Sequence, residues 1–325
     1  MRSRALLSSV TLGMLTLSAA GCGADSSGEA EAASADGLVK VDFAALSIGQ
    51  IAPMVLGKEQ GIFEKHGIDL TISFVEPPAL VPTLVSGDAD FIWNNPPALL
   101  AARGNNVPLK SVTTVSVAGE DPATFPIQVM VPEGSPIASI EDLAGKKVAT
   151  ASLFQLNDLA LMESLDEAGV DATSVEFVEI PFPNMGEALT AGRADAIIST
   201  EPFVTITKSS GAAIPLVSVS EGLAPTTPIS VIASSEQFIS ANPEVVENFR
   251  AAVDEISEYA REHEDEVRAT IPTITELTPE LAEVITLAPI DTTDDADAWD
   301  AWAELLVEVG VLDEKPDSAD AFLAD

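Results

Sequence analysis

Polar and aromatic side chains follow several short apolar segments of this chain, at positions suited to holding a small molecule. Asn94 and Asn95 come directly after the apolar segment 91–93, and Glu201 comes directly after the segment 196–200. Amides, hydroxyls and carboxylates orient a ligand through hydrogen bonds, whereas aromatic rings supply apolar stacking area. These residue types predict a binding site for a small organic solute. The candidate ligand-binding residues are Gln50, Trp93, Asn94, Asn95, Ser152, Phe154, Gln155, Asn157, Asn184, Glu201 and Phe203.

Three of these candidates have a structural alternative. Asn95 and Asn157 stand near the start of predicted helices, where capping is the commonest use of an asparagine. Trp93 belongs to an apolar run that is typical of a buried strand, so a place in the core is its alternative.

Groups that could catalyse a reaction are scarce. The two histidines, His66 in IFEKHG and His263 in REHEDE, stand in charged helical segments without a plausible nucleophile beside them. The segment GKK at 145–147 lacks the preceding glycine and the following hydroxyl of a phosphate-binding loop. The sequence therefore predicts a protein that is not an enzyme and holds no cofactor. Any ATP hydrolysis would come from another chain.

The acidic segment DTTDDADAWD, from Asp291 to Asp300, invites interpretation as a calcium site. It lacks the central glycine and the closing glutamate of an EF-hand loop. Capping of the following helix by Asp297 explains the segment better, and we predict no metal site.

Ten short apolar runs predict the strands that must position the candidate residues. They alternate with segments of helical period, which predicts an α/β fold of mostly parallel sheets flanked by helices. Beyond Pro243 the pattern changes to long helices with packed apolar faces, among them 243–271 and 296–312. The predicted strands are Val39 to Leu46, Leu70 to Val75, Phe91 to Trp93, Leu109 to Val117, Ile127 to Val131, Lys147 to Thr150, Val175 to Ile180, Ala196 to Thr200, Ile214 to Val219 and Ile229 to Ser234.

Two segments that lie 105 residues apart are nearly the same: LVSGDADFIWNNPPA starts at Leu84 and LTAGRADAIISTEPF at Leu189. Each copy predicts a helix that ends at a glycine, an aspartate that opens a buried strand, and a proline suited to the first turn of the next helix. Ligands of open α/β sheets bind at the carboxyl ends of strands, so two copies predict two such edges across one cleft. Chance resemblance of two common turns is the alternative.

The first 22 residues are typical of an export signal. Arg2 and Arg4 precede an apolar run, and small residues follow up to Cys22, the only cysteine. Ala-Ala-Gly before Cys22 resembles a bacterial lipobox, although Ala19 stands where leucine is usual. We expect lipidation of Cys22, a flexible tether over 23–37, and a location on the outer face of the cell membrane. A secreted protein with a free thiol and an uncleaved membrane anchor are the alternatives.

Composition excludes one class of partner. The 325 residues include 52 acidic residues against 15 lysines and arginines, which gives a formal charge of −37. Such a chain repels phosphate backbones, so nucleic-acid binding is not expected. The acidic surface is either an adaptation to high salt or a habit of the proteome. The length fits one large domain or two lobes.

Five segments in order resemble the solute-binding lipoproteins of bacterial ABC importers, the family that includes nitrate, alkanesulfonate, taurine and thiamine-pyrimidine-precursor binding proteins. The segments are GKEQGIFEKHGIDLTI (57–72), LVSGDADFIWNNPPALLAARG (84–104), IEDLAGKKVAT (140–150), ALTAGRADAIISTEPF (188–203) and the terminal WDAWAELLVEVGVL.

This resemblance implies a two-lobed periplasmic-binding-protein fold of type II, with two chain crossovers. Lobe one would contain 38–125 and 228–325, and lobe two would contain 126–227, with hinges near AGEDPATFP and EGLAPTTP. The lobes of such a protein close around a ligand. The resemblance also implies a monomer that delivers its solute to an ABC permease driven by a separate ATPase subunit.

The candidate residues favour one class of solute. A carboxylate of Glu201 at the cleft mouth would suit an amine or aminopyrimidine and would repel a sulfonate or nitrate. The candidate loops contain neither lysine nor arginine. We therefore expect a neutral or amine-bearing solute such as a pyrimidine-type vitamin precursor. An alkanesulfonate, taurine or nitrate held by backbone amides is the alternative. More remote are an enzyme of the pyrimidine-synthase-like branch, whose cysteine-rich motif is absent here, and a structural surface lipoprotein.

Overall fold

The computed structural model describes residues 37–122, 125–220 and 222–323. The predicted signal peptide, Cys22 and all but the last residue of the predicted tether lie outside these described residues. Within the described ranges, ten strands form two five-stranded sheets with helices packed against them. No helix in these ranges combines the length and the apolar character needed to cross a bilayer.

The first sheet has the strand order β2-β1-β3-β10-β4. Strand β1 pairs in parallel with β2 and β3, whereas β10 pairs antiparallel with β3 and β4. Four of its strands therefore run in one direction and β10 runs in the other. The strands are β1 (Val39–Ala45), β2 (Ile68–Phe74), β3 (Phe91–Asn94), β4 (Leu109–Val117) and β10 (Pro228–Ser235).

The second sheet repeats this topology in the order β7-β6-β8-β5-β9. Strand β6 pairs in parallel with β7 and β8, and β5 runs antiparallel to β8 and β9. The chain thus passes between the sheets after β4 and again after β9, which confirms the two-lobed α/β fold with two crossovers. The domain limits predicted above remain predictions. The strands are β5 (Ile127–Val131), β6 (Lys147–Thr150), β7 (Glu176–Glu179), β8 (Ala196–Thr200) and β9 (Ile214–Ser218).

Helices connect the strands and complete the first lobe. The helix predicted from Pro243 onward is two helices, α9 and α10, which meet at His263. The helices are α1 (Ala52–Glu59), α2 (Ile62–Lys65), α3 (Leu80–Ser86), α4 (Pro96–Gly104), α5 (Leu156–Glu167), α6 (Phe182–Thr190), α7 (Phe203–Ser209), α8 (Glu236–Ala241), α9 (Pro243–Glu262), α10 (Glu264–Ile274), α11 (Pro279–Ala282) and α12 (Ala296–Glu308).

Apolar faces of the C-terminal helices join the core below the first sheet, as their period predicts. Phe249 of α9 stacks on Phe91 of β3 with ring centroids 4.0 Å apart. Trp299 and Trp302 of α12 are buried. One prediction about α12 is wrong, because Asp295 caps this helix by accepting from the backbone N–H groups of Asp297 and Ala298.

The sequence repeat corresponds to a structural repeat. The carboxylate of Asp90 accepts a hydrogen bond from the backbone N–H of Asp42 at 2.9 Å, and Asp195 accepts one from Lys147 at the same distance. Gly87 and Gly192 end α3 and the turn after α6 with φ of 79° and 66°, a left-handed conformation that favours glycine. Both halves therefore build the same helix-turn-strand unit, and its resemblance is not chance.

The pairing of the strands shows the same offset of 105 residues. Phe43 faces Phe91 across β1 and β3, and Val148 faces Ala196 across β6 and β8. Adding 105 to the first pair of numbers gives the second pair. Pro97 lies in the first turn of α4, whereas Pro202 stands immediately before α7. The equivalence thus extends through the strands and weakens only where the next helix begins.

Candidate functional site

A cavity of about 180 Å³ lies at the carboxyl ends of β3, β6 and β8, and we call it the inner cavity. The first half of the repeat contributes Trp93, Asn94 and Asn95 from the end of β3. The second half contributes Thr150 and Thr200, the last residues of β6 and β8. Both sheets therefore meet at one hollow, as the strand-end rule predicts.

Two hydrogen bonds join the halves across the inner cavity. Gln50 donates through Nε2 to Thr200 Oγ1 at 3.2 Å, and Asn95 donates through Nδ2 to Gln155 Oε1 at 3.4 Å. Gln50 and Gln155 stand 105 residues apart, and so do Asn95 and Thr200. In each contact, a glutamine of one half meets the strand-end residue of the other half. We call these two contacts the reciprocal contacts.

Three polar atoms in residues that line the inner cavity lack a hydrogen-bond partner among the described residues: Gln50 Oε1, Trp93 Nε1 and Asn94 Nδ2. Asn94 is only 2% exposed and Trp93 only 6%. A buried polar group without a partner costs about 1–3 kcal/mol, so such groups call for an explanation. The indole N–H can only donate, and the amide nitrogen of Asn94 also donates. Both residues line the inner cavity, so acceptors on a ligand held there are the candidate partners of these donors.

All residues that line the inner cavity are uncharged. An engineered apolar cavity of about 150 Å³ accommodates benzene, so a cavity of about 180 Å³ suits a single six-membered ring. Apolar walls from Leu46, Ile48 and Ala98 surround the polar groups. The arrangement can hold a flat, uncharged ring and orient it by a few hydrogen bonds.

Asn95 has the capping role that was its structural alternative, and it also joins the two halves; its contact with a ligand stays a prediction. Its Oδ1 accepts from the backbone N–H of Ala98 at 3.0 Å and so caps α4. Its Nδ2 makes the reciprocal contact with Gln155. The cap fixes the amide at the cavity wall, so the two roles support each other.

The start of α5 is held by a buried carboxylate. Asp158 accepts hydrogen bonds from the backbone N–H groups of Phe154 at 2.6 Å and Gln155 at 2.9 Å. Burial raises the pKa of Asp158 to about 6, against the opposing effect of these hydrogen bonds. Phe154 adopts a left-handed φ of 56° and is 41% exposed. The loop therefore presents Ser152 and Gln155 to the cavity and directs Phe154 away from its lining.

The structure brings most of the candidate residues together. Those that line the inner cavity are Gln50, Trp93, Asn94, Asn95, Ser152, Gln155 and Asn157. Phe203 lines the larger chamber described below. Phe154, Asn184 and Glu201 line neither space, and Asn184 is exposed at the start of α6. Thr150 and Thr200 also line the inner cavity and are not among the predicted residues, although their places as the last residues of predicted strands would have indicated them.

Glu201 is enclosed by the protein and does not stand at the cleft mouth. Its side chain is buried, and its carboxylate accepts from Thr205 N and Thr205 Oγ1 at 3.1 and 2.9 Å and from Thr286 N at 3.3 Å. Its carbonyl oxygen accepts from Gly49 N at 3.3 Å. Burial raises the pKa of Glu201. The carboxylate thus ties the end of β8 to Thr286, and the backbone carbonyl ties it to Gly49.

A second chamber of about 890 Å³, which we call the outer chamber, adjoins the inner cavity. The two spaces share the lining residues Leu46, Ile48, Pro77 and Phe182. The charged residues that line the outer chamber are Glu76, Glu187 and Glu276.

The chain is similar in sequence to known solute-binding proteins. The model of the family described as NMT1/THI5 like matches residues 48–267. Over 196 residues the chain is 29% identical to the putative aliphatic sulfonates-binding protein of Escherichia coli, which covers 59% of this chain and 55% of that protein. Over 208 residues it is 26% identical to the riboflavin-binding protein RibY of Chloroflexus aurantiacus, which covers 62% of this chain and 56% of that protein. The chain thus spans about half the length of these curated relatives.

A solved structure extends the likeness over nearly the whole described chain. The alkanesulfonate-binding protein SsuA of Xanthomonas axonopodis pv. citri, bound to MOPS, superimposes with a TM-score of 0.76 at 19% identity. The superposition covers 87% of this chain and 98% of that chain. At this identity the likeness concerns the fold, and it agrees with the two sheets and two crossovers described above.

Proposed function

The chain belongs to the NMT1/THI5-like family, and on this basis we propose that it is the extracytoplasmic solute-binding component of a bacterial ABC importer. It captures a small organic solute between its lobes and delivers it to a membrane permease driven by a separate ATPase subunit. The names of the Escherichia coli and Xanthomonas relatives, both binding proteins, support a binding role over an enzymatic one.

One observation carries the proposal: an uncharged cavity between two sheets contains buried donors without partners. Trp93 and Asn94, whose Nε1 and Nδ2 are these donors, line the cavity from the first half, and the reciprocal contacts bring the second half against it. A solute that accepts two hydrogen bonds would satisfy these donors. A scaffold or adhesive protein has no need for such a hollow.

We propose a solute with an uncharged, acceptor-bearing ring, of the pyrimidine type or an amine-bearing vitamin precursor. The ring fits the volume, and its nitrogen atoms accept from Trp93 and Asn94. A sulfonate or nitrate would enter a cavity without a lysine or arginine and beyond it would face the carboxylates of the outer chamber. An alkanesulfonate, taurine or nitrate remains the second candidate, since two relatives carry sulfonate-binding names.

The placement of the protein is part of the proposal. We propose that acyl chains on Cys22 anchor the chain to the outer face of the cell membrane, and that it acts as a monomer. Mass spectrometry of the membrane-extracted chain tests the anchor, because lipidation and cleavage would leave Cys22 as a modified N-terminus.

A thermal-shift panel tests the function. Pyrimidines, flavins, nucleosides, amines, alkanesulfonates, taurine and nitrate are each added to the purified chain. A ligand at about a hundred times its Kd stabilises the folded state by about 2.7 kcal/mol, which raises the melting temperature by several degrees. We expect a pyrimidine or a related amine-bearing ring to do so. Stabilisation by anions alone would overturn the solute class, and no stabilisation by any class would overturn the function.

Two substitutions make the panel specific to the cavity. Trp93→Phe removes the indole N–H and keeps most of the ring, so we expect a smaller shift with the same solute. Asn184→Ala is the matched control, because this exposed residue lines neither space.

A further inference from the structure

We propose that the outer chamber is a second subsite of the cleft and binds a positively charged arm of the solute whose ring occupies the inner cavity. This inference rests on the proposed function and narrows its solute class to an uncharged ring that carries an ammonium-bearing arm.

Continuity of the two spaces is the first support. Leu46, Ile48, Pro77 and Phe182 form walls of both, so a substituent on a ring in the inner cavity can extend directly into the outer chamber. The inner cavity, at about 180 Å³, is filled by one ring, whereas the outer chamber offers about 890 Å³. In the proposed function, the buried donors of Trp93 and Asn94 hold the ring end of the solute.

The charge of the outer chamber is the second support. Its lining includes Glu76, Glu187 and Glu276, and no lysine, arginine or histidine is among the described residues that line it. Glu187 accepts from Arg193 at 3.1 Å in an exposed ion pair, so the unpaired negative charge of the outer chamber comes from the other two glutamates. Glu76 and Glu276 have no ion-pair partner in the described part of the chain. A cationic group is therefore attracted here and an anionic group is repelled.

Aromatic surface is the third support. Phe74, the last residue of β2, lines the outer chamber and is 43% exposed, so its ring is accessible from the chamber side of the protein surface. Phe182 and Phe203 of the second half stack on each other with centroids 5.3 Å apart and 13° between their planes. Aromatic faces beside carboxylates attract an organic ammonium group through its charge and its apolar carbons. A hydrated metal ion would gain nothing from the rings.

Three probes that differ only in the arm test the inference. They are 4-aminopyrimidines with a propyl, a 3-hydroxypropyl or a 3-aminopropyl group at carbon 5, titrated into the full chain by calorimetry. We expect the aminopropyl probe to bind about tenfold more tightly than the hydroxypropyl probe at about 0.02 M salt. The advantage should shrink at about 0.5 M salt, where exposed charges are screened over a few ångströms.

Paired variants identify the chamber as the source of the advantage. Glu76→Gln with Glu276→Gln should remove most of the tenfold preference and leave the affinity of the propyl probe within about twofold. Glu133→Gln with Glu314→Gln makes the same change of net charge at exposed residues that line neither space, and the preference should persist. All four glutamates are exposed, so the melting temperatures should stay close to that of the parent chain.

The outcomes separate this inference from the proposed function. If the propyl probe binds and the aminopropyl probe has no advantage, the function stands and the charged subsite is overturned. The same holds if the preference survives in the Glu76 and Glu276 variant or is equally lost in the control variant. If none of the three probes binds, both the ring-binding function and the inference that depends on it are overturned.

Discussion

The two halves of the repeat share a backbone plan but supply different side chains to the cleft. Trp93 and Asn94 in the first half correspond, at the offset of 105, to Ile198 and Ser199 in the second. The first pair lines the inner cavity, whereas the second pair is fully buried and lines neither space. Ser199 Oγ, like Trp93 Nε1 and Asn94 Nδ2, has no hydrogen-bond partner among the described residues. In the proposed function Trp93 and Asn94 orient the solute from the first half, while the second half contributes other polar side chains to the lining: Thr150, Ser152, Gln155, Asn157 and Thr200.

The halves also differ two residues further along the chain. Glu201 is buried and joins the halves through Thr286 and Gly49, whereas its counterpart, Pro96, begins α4. The helix-turn-strand backbone is thus common to both halves, whereas the residues that follow the strands differ in their contacts. Four experiments test this difference between the halves.

The largest expected effect concerns stability. Glu201→Ala would leave the N–H groups of Thr205 and Thr286 without their acceptor and would open a small cavity, so we expect a loss of about 3 kcal/mol in the free energy of unfolding by urea. Pro96→Ala, at the equivalent position, should cost less than about 1 kcal/mol. Equal losses in the two variants would show that the carboxylate has no special structural role, and Glu201 would again be a candidate ligand contact.

The second largest expected effect concerns the affinity for the solute. Asn94→Ser gives the first half the residue found in the second and removes a buried donor, so solute binding should weaken by about 2 kcal/mol, or roughly thirtyfold in Kd. Ser199→Ala, the matched change in the second half, should leave Kd within about twofold. Weaker solute binding in both variants would contradict the role proposed for Asn94 as a ligand contact.

A pH series compares the two halves at the start of α5, where Asp158 corresponds to Pro53 of the first half. The folded pKa of Asp158, about 6, lies above its ordinary value of 3.8, so the folded chain binds this proton more tightly than the unfolded chain. The resulting stability is fully present below about pH 4 and is lost as the pH rises through about 6. Glu201, whose pKa is also raised, acts in the same direction.

From pH 5 to pH 7 the contribution of Asp158 should fall by about 1 kcal/mol, measured as the free energy of unfolding by urea. Asp158→Asn should flatten this part of the profile, whereas Pro53→Ala should leave its slope unchanged. Identical slopes in the parent chain and Asp158→Asn would contradict the proton assignment.

The smallest effect concerns the reciprocal contacts. Double-mutant cycles for Gln50 with Thr200 and for Asn95 with Gln155 should each give a coupling of about 0.5–1 kcal/mol in the free energy of unfolding. The two values should agree within about 0.5 kcal/mol, with alanine at each position. Coupling in one pair alone would show that the halves are not joined symmetrically.

Much of the fold was accessible from the sequence because short apolar runs, glycine stops and the repeated aspartate are local signals. Their strand limits differ from the structure by at most about two residues. The break between α9 and α10 was not accessible, since no glycine or proline marks it. There the ring of His263 stacks on Tyr259 at 3.9 Å, and its Nδ1 lies 2.8 Å from the Tyr259 carbonyl oxygen.

The site was predictable where a strand end decided it, and less so where distant contacts did. Asn94 and Asn95 follow β3 directly, and the strand-end rule places them at the cavity. Glu201 follows β8 in the same way, but Thr286, 85 residues further along, fixes its carboxylate inside the protein. Phe154 has a left-handed backbone that directs its ring to solvent. A residue's place after a strand is a local property, whereas the direction of its side chain depends on partners far along the chain.

The offset of 105 residues between Gln50 and Gln155 has a consequence for the pose of a guest molecule. Each glutamine meets the strand-end residue of the other half, so a small ring between the halves has similar amide and hydroxyl groups on both sides. Trp93 and Asn94 distinguish the two sides, because their counterparts Ile198 and Ser199 do not line the inner cavity. Substitutions at these two positions can therefore change which way round a guest sits, with the backbone left as it is.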